Sequence, residues 1–329
     1  LLELMKEHNK SWALYLFSSA RVLKSYTMEQ LVGLGLSWVW MGLEGKNSQY
    51  TKLNGIDTRE LVKELQSHGV RVLGSSIIGL EEHTPENIDE ALDWAASHDT
   101  VFHQFMLYTP LPGTALFEEH TKDGSILSEG ECSVADSHGQ SKFNFRHKHI
   151  RNGQETEFIV RAFTRDFEVN GPSIARMVRA RLSGWKNHKN DPDLRARRRF
   201  EHEAKGLGSI YAGVMWGIKK WYKNDKLLSE KMDVILQDIY KEFGWKSRLV
   251  APLIGSVIHF TTKREAKRLA TGWTYEPNTR YSKNAKALEL EKNGQKVLNE
   301  LTETSNKIRD EIIEKAPKIE EKPKIVLET

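Results

Sequence analysis

Three short segments place glycine, polar or proline-bearing residues directly after apolar runs. They are Gly42-Leu43-Glu44, Ser75-Ser76-Ile77-Ile78-Gly79-Leu80-Glu81-Glu82 and Tyr108-Thr109-Pro110-Leu111-Pro112-Gly113-Thr114. In α/β folds, ligands sit at the carboxyl ends of the strands. Glycine lets the backbone approach a ligand or turn sharply. Proline fixes φ and removes a donor. A carboxylate such as Glu44 can accept hydrogen bonds from a ribose or an ammonium group. Each segment also has an ordinary reading: a solvated loop charge at Glu44, a tight turn at Gly79, and a rigid loop over 108–114. Elsewhere, His147 and His149 have the i, i+2 spacing of metal ligands on a strand, but no third ligand accompanies them. His103 and Gln104 open an apolar run, and one of the two points toward the interior of the sheet. Cys132 is the single cysteine. It excludes an intrachain disulfide framework and any all-cysteine metal or cluster site within this chain.

The elements that must position these segments alternate. SWALYLFSS (11–19), LSWVWMGLE (36–44), VRVLGSSIIG (70–79) and VFHQFML (101–107) read as strands. TMEQLVGLG (27–35) reads as a helix capped by Thr27. IDTRELVKELQSHG (56–69) reads as an amphipathic helix ending at Gly69. A third helix is expected after Thr84 as N-cap, with Pro85 at its first position. Four strands alternating with three helices imply a parallel sheet, open or closed into a barrel. After residue 120 the pattern changes. A polar loop leads to a short strand over 142–150, and helical periodicity follows near 153–168, 172–188, 191–222, 225–243 and 247–271. Gly206 and Gly208 are candidate breaks in the third of these. The tail from Ser282 is rich in Lys and Glu, with one weak amphipathic helix and a disordered end.

Charge divides along the same line. Residues 1–142 carry 11 Lys/Arg and 20 Asp/Glu, net −9, and residues 143–280 carry 28 and 15, net +13. We therefore expect a domain over 1–141, a helical domain over 142–281 and a charged tail over 282–329. No apolar run is long enough to span a membrane, and single-cysteine usage fits a cytoplasmic setting. The chain starts in mid-pattern at Leu1 without a Met, and reads as a piece of a longer protein.

In order and spacing, the three strand-end segments resemble the later strands of the radical S-adenosylmethionine (SAM) barrel. The nearest likeness is the class with an upstream cobalamin-binding domain. The family motif G-x-I-x-G-x-x-E is matched at Ile77, Gly79 and Glu82, with Ser75 in place of the first glycine. Gly42-Leu43-Glu44, followed by Lys52 and Gly55, is similar to the family's G-x-E-S…K…G segment, with Gly45 where serine is commoner. Pro110-Leu111-Pro112-Gly113-Thr114 is similar to its P-x-P-G-T segment. The resemblance covers about residues 10–120. It implies an α/β fold, the carboxyl-terminal part of a (β/α) barrel, followed by an all-α domain. It also implies SAM contacts at Glu44, Ser75, Ile77, Gly79, Tyr108, Pro110 and Gly113, with Ile77 on the adenine and Gly79 making the turn.

In that family a [4Fe–4S] cluster, held by three thiolates of a CxxxCxxC loop, reductively cleaves SAM to a 5′-deoxyadenosyl radical. This chain has no such loop. The resemblance therefore implies that the cluster, and cobalamin where it is used, belong to the full-length enzyme, and that this chain alone is inactive. No residue here is assigned a catalytic or metal-ligating role. The expected partners are the missing amino-terminal part of the same protein and a small-molecule or lipid-like substrate. Two other readings stay open: a cluster-less SAM-like binding or regulatory protein, and a nucleic-acid-binding helical module. The last requires Arg195, Arg197, Arg198 and Arg199 to form an exposed cluster.

Overall fold

In the computed structural model, residues 1–43, 55–133 and 137–272 are described, together with helical residues between 292 and 307. Leu1–Ala266 forms one compact unit and Lys267–Thr329 a second. In the second, the expected tail helix coincides with described helical residues between 292 and 307. The remainder of 273–329 lies outside the described residues.

The first part alternates strand and helix: α1 (Leu2–Glu7), β1 (Leu14–Ser18), α2 (Ala20–Lys24), α3 (Met28–Leu34), β2 (Leu36–Gly42), α4 (Thr58–Ser67), β3 (Arg71–Ile78), α5 (Ile88–Ala96), β4 (Phe102–Leu107) and α6 (Ala115–Lys122). The strands pair in parallel in the order β1-β2-β3-β4. That is the α/β arrangement expected from strand–helix alternation. Local chemistry sets the helix ends. Thr27 and Gln30 form a reciprocal capping box, and Gly35 closes α3 in the left-handed region. Asp57 accepts from the Arg59 and Glu60 amides at the start of α4. The third start differs from expectation. Thr84 Oγ1 accepts from the Glu86 amide, but residues 85–87 form turns and the regular helix begins at Ile88.

Period-2 alternation divides the strand side chains between two faces. Val39, Met41, Val72, Ile78, Phe105 and Leu107 are buried beneath the helices. The helical part supplies much of that layer. α7 (Gln154–Asn170) packs on α5 and β4, and α8 (Ser173–His188) packs on α4, β3 and β4. One apolar cluster accordingly runs from Ile78, Leu92 and Phe105 to Phe143, Phe158 and Ala162. Buried polar groups pin β4 in place. Arg176 holds Asp166 with two hydrogen bonds, of 2.6 and 3.0 Å, and donates to the Thr100 carbonyl at 2.7 Å. Gln66 bonds the Asp99 carbonyl and the Val101 amide.

The chain then continues as α9 (Leu194–Glu203), a π-helical turn (Leu207–Tyr211), α10 (Ala212–Trp221) and α11 (Lys226–Ala270). Gly206, at φ 84°, makes the expected break. The two final helices expected near 225–243 and 247–271 are both present within α11, separated at Gly244, whose φ of 75° and ψ of −160° are not helical. The strand expected over 142–150 does not form; the segment makes only an isolated antiparallel bridge, Ile126 to Phe145. Its residues are committed elsewhere, as described next.

Candidate functional site

The second face of the sheet carries exposed side chains at Tyr15, Phe17, Ile77 and Phe102, and its side chains fall into rows across the strands. The lower row is aromatic: Phe17 contacts Trp40 (ring centroids 4.8 Å apart), Tyr15 contacts Trp38, and Trp38 stacks on Phe102 at 5.8 Å. Phe17 is 71% exposed and Tyr15 53%. Toward the carboxyl ends the character changes. Register places Gly42 beside Ser75 and Ser75 beside Gln104, and the next rung is Ile77 beside Met106. A wall of rings thus gives way to a small polar row capped by an apolar rung, at the end of the sheet where parallel α/β folds hold ligands.

Gln104 is a polar group in this row with unused capacity. Its Nε2 contacts Met106 Sδ at 3.1 Å, while its Oε1 is buried without a hydrogen-bond partner. A buried amide oxygen left without a donor is costly, and an ammonium or hydroxyl group of a ligand would satisfy it. Of the pair singled out in the sequence, Gln104 therefore faces this side. His103 faces the helices, with Nε2 3.0 Å from Ser76 Oγ and its ring stacked on Phe105. Burial pushes its pKa down to about 4.

Ser75 and Ile77 lie on this second face, and Ile77 is 42% exposed. Gly74 lies on the opposite face, where an added Cβ would stand 2.7 Å from a Leu43 methyl; it does not replace the motif glycine that Ser75 lacks. Tyr108 extends the ladder, its amide donating to the Ile78 carbonyl at 2.8 Å. Pro110 accepts from Asn144 Nδ2 at 2.7 Å. Gly113 (φ 83°) has nothing near its Cβ direction, and it precedes Thr114, the N-cap of α6. The structure thus gathers Ser75, Ile77, Gly79, Tyr108 and Pro110 at one end of the sheet, with Gly113 farther along the loop. Glu44 lies outside the described residues.

Gly79 has a structural reason for being glycine. It sits at φ 80°, and an added Cβ would stand 2.3 Å from Cζ of Phe143. Two histidines hold the turn that follows. His83 Nδ1 accepts from the Gly79 and Leu80 amides at 3.0 and 3.2 Å. His147 Nε2 donates to the Leu80 carbonyl at 3.1 Å, while its Nδ1 accepts from the His149 and Ile150 amides. A ring nitrogen that accepts from an amide carries no proton, so both imidazoles are neutral. Burial lowers both pKa values. This is where the 142–150 segment is spent. It packs Phe143 and His147, stacked on each other, against the β3 turn. The His147 ring accordingly has a structural role, while His149 is exposed and gives it only its backbone amide; no group of three or more potential ligands forms among the described residues. Cys132 is buried, and its thiol faces the Ser133 carbonyl.

Two surface clefts among the described residues lie away from this row. One, of about 500 Å³, lies behind Phe143 and His147 at the start of α7. The other, of about 550 Å³, lies between α4 and α8. The basic run on α9 is not a patch either. Arg195 and Arg199 are buried, donating to the Lys10 and Val32 carbonyls. Only Arg197 and Arg198 of the four are exposed, so the exposed cluster required of a nucleic-acid module does not form.

No family model matches the chain. Over 99 residues it is 32% identical to an uncharacterized methyltransferase of Pyrococcus horikoshii, covering 29% of this chain and 22% of that protein. Over 136 residues it is 26% identical to the bacteriochlorophyllide d C-8(2)-methyltransferase of Chlorobaculum tepidum, covering 39% of this chain and 30% of that protein. Over part of its length, the chain is similar to methyltransferases. The matches span less than a third of the length of either relative.

Proposed function

We propose that this chain is the SAM-binding half-barrel and helical region of a radical-SAM-type enzyme acting as a methyltransferase. The observation that carries the reading is the row Gly42–Ser75–Gln104 at the carboxyl end of a parallel sheet. It is small enough to admit a ligand and bears a buried acceptor without a donor. SAM fits this chemistry: its ammonium and ribose hydroxyls are donors, and its adenine can lie on Ile77 and Met106. The partial similarity to two methyltransferases supports methyl transfer as the reaction class.

The iron–sulfur cluster does not fit these residues. It requires three thiolates, and the chain has one cysteine, buried beside Ser133. In this reading the cluster, and cobalamin where the whole protein uses it, are held outside this chain. What these residues do is bind and orient SAM and present the strand ends to a substrate. A segment preceding Leu1 would cover the aromatic row.

Calorimetric titration of SAM into the full-length protein tests the site. Ser75→Phe fills the small row from the second face without touching the helix-facing core, so it should weaken SAM binding by at least about tenfold, the effect of roughly 1.4 kcal/mol. Gln104→Leu, which removes the orphaned acceptor, should weaken it by a similar factor. Wild-type affinity in both folded variants would reject the site.

A further inference from the structure

Beyond the Gly244 bend, α11 forms an arm whose two faces differ. The inner face is seated on α10. Ala251 and Gly255 are buried, and a Cβ added at Gly217 would stand 3.0 Å from the Gly255 carbonyl oxygen. A Cβ at Gly213 would stand 2.5 Å from Ile254 Cγ2. Contacts this close fix the arm in place, leaving its outer face for something else.

That outer face carries Trp245, Leu249, Leu253, Val257 and Phe260, exposed by 67, 62, 72, 67 and 69% respectively. Spacings of four, four, four and three residues keep them on one side of the helix, a strip about 22 Å long at 1.5 Å per residue. Five large apolar side chains this exposed, on a helix already packed on its other side, mark an interaction surface. The charge pattern indicates what it meets. From Trp245 to Arg264 there is no Asp or Glu, and Lys246 and Arg248 stand at one end with Lys263 and Arg264 at the other. The complement of such a surface is apolar along its length and negatively charged at its borders.

We propose that the Trp245–Arg264 arm docks on an anionic bilayer, lying in the interface with its apolar strip at the acyl boundary and its cations among the headgroups. Trp245 at one end suits the headgroup level. No described helix is long and apolar enough to cross a membrane, so the arm lies on the bilayer. A protein partner is disfavoured, because it would have to match a strip of five large apolar side chains with acid at both ends; the one acid beside the strip, Glu265, stands among Lys263, Arg264, Lys267 and Arg268.

Co-sedimentation with vesicles tests this, using the full chain, neutral phosphatidylcholine vesicles, and vesicles of phosphatidylcholine mixed with phosphatidylglycerol. Binding should be strong to the mixed vesicles, weak to the neutral ones, and should fall with added salt. Each juxtamembrane cation contributes about fivefold, so Lys263→Gln/Arg264→Gln should weaken binding by about 25-fold. Leu253→Glu/Phe260→Glu should abolish it. All four positions are exposed, so circular dichroism and melting temperature should not change. Equal binding to the two vesicle types, or binding indifferent to both double variants, would overturn the proposal. So would a concentration-dependent dimer lost in Leu253→Glu/Phe260→Glu, since a second copy would then be what covers the arm.

Discussion

Gly79→Ala should destabilise the fold by an amount that depends on Phe143. At φ 80°, the left-handed conformation costs an L-residue about 1–2 kcal/mol. The new Cβ would also lie 2.3 Å from Phe143 Cζ and 2.5 Å from Cε1. Phe143 is 4% exposed, with Phe145 and His147 against it, so the ring has little room to withdraw. Overpacking of this kind costs about 1–3 kcal/mol, giving a total of about 2–5 kcal/mol. Urea denaturation of the single variants and of Gly79→Ala/Phe143→Ala separates the two contributions. Without the ring, only the backbone cost of about 1–2 kcal/mol should remain, leaving a coupling of about 1–3 kcal/mol in the cycle. Equal costs in both backgrounds would refute the packing account. A cost near zero in both, with SAM affinity lost in the full-length protein, would return Gly79 to the ligand role that the family resemblance implies.

His103 should give the fold an acid-sensitive limb. Its folded pKa, about 4, lies below the unfolded value near 6.5, so between the two the unfolded chain binds more protons. Stability is therefore full above about pH 6.5 and falls as pH drops toward 4, by about 3 kcal/mol. His103→Gln keeps a partner for Ser76 and should flatten the dependence of melting temperature on pH. A residual slope is expected from His83, His98, His147 and His188, whose pKa values burial also lowers; an unchanged slope in the variant would exclude His103. The purified 329-residue chain should take up no iron–sulfur cluster on reconstitution and form no 5′-deoxyadenosine. It should self-associate in light scattering through Tyr15 and Phe17, an association that Phe17→Lys reduces. Product formation by this chain would disprove the absence of a cluster site, and a monodisperse wild-type monomer would show that the aromatic row is stable in water by itself.

The strands, their parallel order and the capped helices were legible because each follows from local rules. Apolar runs of strand length recur between amphipathic segments, and Thr27 and Gly69 stand where such residues usually begin and end a helix. The 142–150 segment was not legible. FNFRHKHI alternates as a strand would, but its Phe143 and His147 are taken up by a turn more than sixty residues away. No local pattern could report that contact. The start of α5 shifted for a related reason: Thr84 satisfies the Glu86 amide, while Asn87 reaches back to the Glu82 carbonyl and the Thr84 amide, which favours turns before the helix.

The site divides in the same way. The sequence by itself determined that Ser75, Ile77, Gly79, Tyr108 and Pro110 stand at or near strand ends, because strand boundaries and turn residues are local properties. Only the tertiary structure decided which of them share a face and what stands beside them. Gln104 became a candidate through parallel register, which sets it against Ser75; a one-residue slip would have turned His103 to that side instead. Gly74 and Gly79 look alike in sequence, yet one is filled by Leu43 and the other by Phe143. Likewise, the basic run 195–199 reads as a patch, but Arg195 and Arg199 are turned inward to backbone carbonyls. Side-chain direction depends on which helix face the remainder of the fold covers, and that is fixed by packing between distant segments.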